Sequence, residues 1–307
     1  MNNFSKKITE KEVNFIFNKY KKNIVTPAPN KFIKYFFKLD NLTISIFNTN
    51  VLLIQGKNSE NFLNNNIKKS NTNNIINDNI NNKNTIGCDE VGVGDYFGGI
   101  ICCAAFIEKK NEVKIKSFGV KDSKLIKDDK IMEIYTKLIN SNLINFSISS
   151  CDPEKYNKLN KIYNNTHIIK AILHNDCLIN LLNNENIKNQ YIIMDQFVDE
   201  KIYYSYFKKT NEKKIIHIDK FVTKAESKYV AVAAASIIAR AYFLLQIKNI
   251  ETKLKCKIPL GSSNSDILVV ANNIYKNGGL ESLKKFVKID FKTTKNIINN
   301  NYDNKKK

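Results

Sequence analysis

Residues 61 to 85 are about half asparagine, and this stretch decides how the chain can fold. Such a segment has little to bury, and asparagine side chains compete with the backbone for hydrogen bonds, so it reads as a linker between two units. The expected division is an N-terminal unit over residues 1–66, a linker over 67–85 and a larger unit over 86–295. A second Asn/Lys-rich stretch, 296–307, is expected to be a disordered tail. Hydrophobic residues make up 43% of the 307, which is ample for a core.

The chain carries 49 Lys plus Arg against 29 Asp plus Glu, a formal charge of +20. That surplus favours a polyanionic partner through counterion release, although a codon bias towards A and T raises lysine content on any surface. No run of about 18 apolar residues is apparent, which argues against a membrane span, and the first residues contain no apolar signal segment. The six cysteines lack C-x-x-C spacing and read as small buried hydrophobes in a reducing compartment. Cys102 and Cys103, adjacent on a strand, should face opposite ways. His167, His174 and His217 lack metal-ligand spacing. His167 and His174 can share a helix face, with packing or exposure as the default for both.

In the first unit, residues 8–22 have helical periodicity with Val13, Ile16, Phe17 and Tyr20 on one side. Strand-like runs follow at 32–39, 42–47 and 51–55. In the second, strands are expected at 85–91, 99–108, 144–149, 191–194 and 214–218. Helices are expected from an N-cap at Ser123 to about 140, and at 166–182, 227–254, 266–276 and 279–288. The fold class is therefore α/β: a mixed sheet flanked by helices, preceded by a small N-terminal α/β domain.

The chemistry concentrates in Ile86-Gly87-Cys88-Asp89-Glu90-Val91-Gly92-Val93-Gly94-Asp95-Tyr96-Phe97-Gly98-Gly99. Two adjacent acids end a buried strand and run into a glycine-rich turn. Burying carboxylates calls for a compensating cation, either a lysine ammonium or a hard divalent metal such as Mg²⁺. A turn in which Asp89 caps backbone groups and Glu90 is solvated is the other possibility. Gly92-x-Gly94-x-x-x-Gly98 approaches a dinucleotide fingerprint, but its spacing is off and the acids before it would repel a pyrophosphate. Asp195 ends another core strand, and Glu226 lies just before the long helix. Acids at the ends of separate buried elements can converge on one point.

The segments GCDEVGVGDYFGGIICCAAF, FGVKDSKLI, MDQF, FVTKAESKYVAVAAASIIARAYFL and IPLGSS resemble the ribonucleases HIII of the type 2 ribonuclease H family. The strand run ending Leu52-Leu53-Ile54-Gln55-Gly56 is similar to that family's N-terminal substrate-binding domain, which is TATA-binding-protein-like. The resemblance implies an RNase H-like fold and an endonuclease that cuts the RNA strand of RNA–DNA hybrids, leaving 5′-phosphate and 3′-hydroxyl ends. The family's four acidic positions fall on Asp89, Glu90, Asp195 and Glu226, and Glu226 within Lys-Ala-Glu-Ser is the type HIII pattern. They are expected to hold two Mg²⁺ or Mn²⁺ ions, about 3.5–4 Å apart in the catalytic complex. The rival readings are a type HII-like enzyme acting at single ribonucleotides in DNA and a non-catalytic hybrid-binding protein. A cytoplasmic monomer without membrane contact is expected.

Substrate contacts are expected from Gly92, Val93 and Gly94, whose backbone can approach ribose hydroxyls. Lys121, Ser123 and Lys124 at a helix start, and Lys224, are candidates for phosphate contacts. Where the family's turn ends Phe-Gly-Pro, this chain has Phe97-Gly98-Gly99, which should loosen the turn. Arg240, in a chain that otherwise uses lysine, suggests a bidentate partner, carboxylate or phosphate. Lys19, Lys21, Lys22, Lys31 and Lys34, interleaved with Phe32, Tyr35, Phe36 and Phe37, could give the N-terminal unit a face for a nucleic-acid backbone.

Overall fold

The computed structural model describes residues 3–56, 59, 62, 83–121, 123, 126–184, 187–188 and 190–303. The chain divides into two compact units, Met1–Asp78 and Asn79–Lys307. The expected linker lies outside the described residues as far as 82, and the first strand of the second unit starts at Asn84.

The first unit contains β1 (Asn3–Lys7), α1 (Glu10–Tyr20), β2 (Ile33–Leu39), β3 (Leu42–Phe47) and β4 (Val51–Gly56), in an antiparallel sheet of order β1-β4-β3-β2. A capping box starts α1: Glu12 N–H donates to Thr9 Oγ1 at 3.3 Å, and Thr9 N–H donates to Glu12 Oε2 at 2.7 Å. Val13 and Ile16 pack on Phe37, Ile44, Ile46, Leu52 and Ile54. Sequence analysis omits β1, an edge strand whose single apolar residue, Phe4, leaves no alternation to detect.

The second unit runs β5 (Asn84–Val91), β6 (Ile100–Ile107), α2 (Glu112–Ser117), α3 (Asp128–Asn140), β7 (Ile144–Cys151), α4 (Pro153–Tyr163) and α5 (Thr166–Leu182). It continues with β8 (Gln190–Asp195), α6 (Glu200–Tyr206), β9 (Lys220–Val222), α7 (Val230–Leu254), α8 (Ser265–Leu283) and α9 (Lys292–Asp303). Its sheet has the order β7-β6-β5-β8-β9. Strands β7, β6 and β5 pair antiparallel, while β5, β8 and β9 pair parallel, giving the expected mixed sheet. The pleat sends Cys103 and Ala105 to one core with α7 and sends Cys102, Ala104 and Phe106 to the other with α5. Helix α7 lies directly on β5: a Cβ at Gly87 would stand 2.1 Å from Val232 N.

Several expectations need correction. Helix α7 is long and apolar enough to cross a membrane, contrary to the sequence reading, but 72% of its apolar window is buried and it serves as the core helix over β5 and β6. Residues 214–218 form no strand. Side chains take their backbone groups instead: Ile216 N–H donates to Asn175 Oδ1 at 2.9 Å, Asn175 Nδ2 donates to Lys214 O at 2.8 Å, and Ile218 N–H donates to the Tyr204 hydroxyl at 2.8 Å. The strand forms six residues later, as β9. Ser123 does not cap α3, which starts at Asp128 after Lys127. The expected tail 296–307 is helical through 303, because Ile297 is fully buried in the α7 core. The two late helices form one element broken at Gly278-Gly279, where Gly279 has φ +62°. Cys256 is exposed, whereas the other five cysteines are buried.

Candidate active site

Asp89 and Asp195 stand on neighbouring parallel strands, with Cys88 in register with Met194 just before them. Strand pairing alone therefore brings together two acids more than a hundred positions apart. Asp89 is 7% exposed and faces Ser236 on α7. Its Oδ1 accepts the Glu90 N–H at 2.8 Å. Burial, followed by the charges of Glu90 and Asp195, holds its carboxyl well above the usual carboxylate range, against the opposing pull of Ser236 and the Glu90 amide.

Glu90, the next residue, points through the sheet to the α5 side. Lys170 Nζ donates to its Oε1 at 2.6 Å, and His174 Nε2 lies 2.9 Å from its Oε2. Burial pushes the Glu90 carboxyl up, but the hydrogen bond and charge of His174, with Lys170, outweigh it and bring the pKa down to about 2. Phe197, two residues past Asp195, backs the cluster. Lys170 Nζ lies 3.8 Å from its ring centroid, and the His167 and His174 rings stack on it at 5.8 and 5.7 Å. Sequence reasoning missed Lys170 and His174. The available signal was Lys170 and His174 four apart, on the face that also carries His167, in a helix rich in apolar residues.

Asp195 ends β8, and its Oδ1 accepts the Ala225 N–H at 2.9 Å. That bond ties β8 to the 3₁₀ turn 225–227, which carries Glu226 at 5% exposure. Glu226 lines a pocket of about 290 Å³ with Lys116, Lys121 and Lys228. A second pocket, of about 320 Å³, is lined by Asp89, Glu90, Ser123, Asp128, Ser236 and Arg240. Ser123 Oγ lies 2.6 Å from Ser236 Oγ, so the turn bearing Ser123 is tied to the Asp89 side. Arg240 has the expected bidentate partner, Asp128, with Nε–Oδ1 at 2.9 Å and Nη2–Oδ2 at 3.0 Å. Lys224 is exposed with φ +53°. Lys124 lies outside the described residues.

The turn after β5 places Gly92 at φ +88°, with Asp95 N–H donating to Gly92 O at 3.3 Å. Val93 packs on the α5-side core. Gly94 faces open space: a Cβ there meets nothing within 4 Å. The far end of the turn, expected to be loose for want of proline, is tied down. Gly99 N–H donates to Gln246 Oε1 and Lys288 Nζ donates to Gly98 O, each at 2.7 Å. In the N-terminal unit, Phe37 is core, while Phe32 is 62% exposed beside Lys31.

The donor set suits a hard divalent cation. It is all oxygen, and the Asp89 carboxyl sits among like charges that a cation would offset. Among the described residues no three His, Cys, Asp or Glu side chains already stand as a metal-holding group. The pleat explains this for Glu90, whose two oxygens are engaged by Lys170 and His174 on the opposite face from Asp89. Glu90 joins an ion only by sharing or exchanging those partners.

Residues 86–294 match the family described as Ribonuclease HII. The chain is 36% identical to a ribonuclease HIII of Ureaplasma parvum, over 88% of this chain and 91% of that protein. It is 39% identical to a ribonuclease HIII of Phytoplasma mali, over 88% and 90%. Its fold is similar to the crystal structure of Bst-RNase HIII in complex with Mn²⁺, with a TM-score of 0.68 at 27% identity, covering 97% of this chain and 98% of that one. Because these likenesses run through both units and not only through the acid-bearing sheet, the chain belongs to the type 2 ribonuclease H family and, within it, to the ribonucleases HIII.

Proposed function

We propose that this chain hydrolyses the RNA strand of RNA–DNA hybrids with divalent ions held by Asp89, Glu90, Asp195 and Glu226. Membership of the ribonucleases HIII makes it a metal-dependent ribonuclease H endonuclease that uses Mg²⁺ or Mn²⁺. The observation that carries the residue assignment is the buried Asp89 carboxyl beside Asp195 at the ends of adjacent parallel strands. When bound, divalent ions supply an acidified water to attack phosphorus and charge neutralisation at the departing 3′ oxygen. The protein's own part is positional. Asp195 is fixed by the Ala225 amide, Glu226 follows on the next residue of that turn, and Asp89 is fixed by its strand.

Ribose discrimination falls to Gly92, Val93 and Gly94, with the open side of Gly94 receiving the sugar edge. Lys121 beside Glu226, and Lys224, reach the flanking phosphates; Lys124 belongs to the same set by sequence. Residues 1–66 act as a substrate-binding domain, and the protein works as a monomer in the cytoplasm. Deleting residues 1–80 weakens hybrid binding far more than it disturbs the acid cluster.

Digestion of an end-labelled hybrid in Mg²⁺, Mn²⁺ or EDTA tests the reading. The expected result is metal-dependent cleavage with 3′-hydroxyl and 5′-phosphate ends, and a preference for runs of RNA over a single ribonucleotide in DNA. Cleavage in EDTA contradicts the metal reading, and a preference for single ribonucleotides assigns the chain type HII behaviour.

A further inference from the structure

The glycine turn between β5 and β6 is held from outside by two side chains with no role in the proposed chemistry. Residues 96–98 lie against 286–288. Gly98 N–H donates to Phe286 O at 3.0 Å, Lys288 N–H donates to Tyr96 O at 3.0 Å, and Phe97 and Val287 form an antiparallel bridge. Lys288 is fully buried, and its ammonium donates to Gly98 O at 2.7 Å and reaches Gly99 O at 3.5 Å. From α7, Gln246 Oε1 accepts the Gly99 N–H at 2.7 Å.

A buried ammonium is unfavourable unless hydrogen-bonded, and methionine would fill the same space without that penalty. The lysine's hydrogen-bond partners here are turn carbonyls. A proline ring could not restrain this turn with the backbone as it stands, because a Cβ at Gly99 would lie 1.7 Å from Cys151 O. In this chain side-chain hydrogen bonds supply a restraint. It reaches the substrate end of the turn by direct packing: a Cβ at Gly92 would stand 2.3 Å from Gly99 O, and the Phe243 ring lies against both Gly92 and Gly98. The carbonyl that Lys288 approaches is therefore the surface on which Gly92 rests.

We propose that Lys288 and Gln246 are positioning residues that set the Gly92–Gly94 backbone for the ribose strand of the hybrid, so that selectivity for RNA depends on Gln246 and on residues 286–288. This rests on the reading of Gly92–Gly94 as the ribose-contacting turn. The test compares full-length wild type, Lys288→Met and Gly94→Ala, on an all-ribose hybrid and on one with a 2′-deoxy residue at the cut site, well below each melting midpoint. Lys288→Met is expected to raise KM about tenfold with kcat within about twofold, and to narrow ribose-over-deoxy selectivity by a similar factor. Should Lys288→Met not fold, Gln246→Leu carries the same expectation from the opposite side of the turn. A variant with a lower melting temperature but unchanged KM and selectivity overturns the proposal and leaves these side chains as fold stabilisers. If Gly94→Ala also changes nothing, the ribose-contact reading itself fails. If Gly94→Ala shifts selectivity while Lys288→Met and Gln246→Leu do not, only the positioning role falls.

Discussion

Asp89 and Glu90 are neighbours in the chain and opposites in the fold. One faces α7 and Asp195, where burial and like charges push its carboxyl up. The other faces α5, where His174 and Lys170 bring it down to about 2. The same strand thus offers a carboxylate in need of a cation on one face and one with its cation built in on the other. The comparison shows that an acid pair in sequence is not a single ligand unit. In the proposed site Asp89 and Asp195 are the half that most needs a metal, and Glu90 is a carboxylate kept ionised beside it.

The largest effect expected is on turnover. Asp89→Asn should lower kcat by about a thousandfold or more, because it removes a charge from the half of the site without an internal cation. Its melting temperature in EDTA should stay level or rise, since an amide relieves the repulsion from Glu90 and Asp195. A marked fall would mean that Asp89 stabilises the fold, and the contrast with Glu90 would break.

Lys170→Met should do the reverse. Lys170 is 5% and Glu90 13% exposed in their side chains, so removing the ammonium leaves a buried carboxylate short of a partner, at about 3–5 kcal/mol in urea unfolding. Adding Glu90→Gln to Lys170→Met should recover most of that loss. If Lys170→Met alone is neutral, the built-in cation is not what holds Glu90.

A smaller effect sharpens the comparison beyond the strand end. Gly94→Ala adds a methyl that touches nothing in the protein, so stability should be unchanged while KM rises roughly tenfold. A rise in KM without loss of stability separates substrate approach from folding.

A last, pH-dependent effect contrasts the two buried lysines. Lys288 has no carboxylate in hydrogen-bond contact among the described residues, and burial lowers its pKa to about 8 against the attraction of Asp95 and Asp290. Below about pH 8 it is charged in both states, and its burial penalty is present in full. Between about 8 and the ordinary lysine value the unfolded chain binds more protons, so this group's contribution to stability rises with pH. Wild type should therefore gain on Lys288→Met by roughly 1–3 kcal/mol between pH 7.5 and 10 in urea unfolding. A flat difference would mean that the ammonium carries no burial penalty.

Much of this was legible before the structure. Apart from β1 and β9, the strands of both sheets carried clear apolar patterns, and the two acids before the glycine turn marked the candidate site. Helix α4 was legible but passed over: Asp152 accepts the Lys155 N–H at 2.7 Å and Pro153 stands at the first helical position, a standard start signal. Other features were not legible from local pattern. Lys170 and His174 meet Glu90 across 80 and 84 positions, a pairing set by how α5 lies on the sheet. Residues 214–218 have strand composition, yet Asn175 and Tyr204, on two other helices, take their backbone groups. The hydrogen bonds at Gly99 were not legible because Gln246 and Lys288 act on it from 147 and 189 positions away.

The central claim is that Asp89 and its neighbours hold a divalent ion, and Mn²⁺ binding followed by electron paramagnetic resonance tests it without reference to turnover. The account predicts that wild type binds Mn²⁺, that Asp89→Asn and Asp195→Asn lose that binding while remaining folded, and that Lys170→Met retains it where folded. Equal Mn²⁺ affinity in wild type and Asp89→Asn would contradict the account.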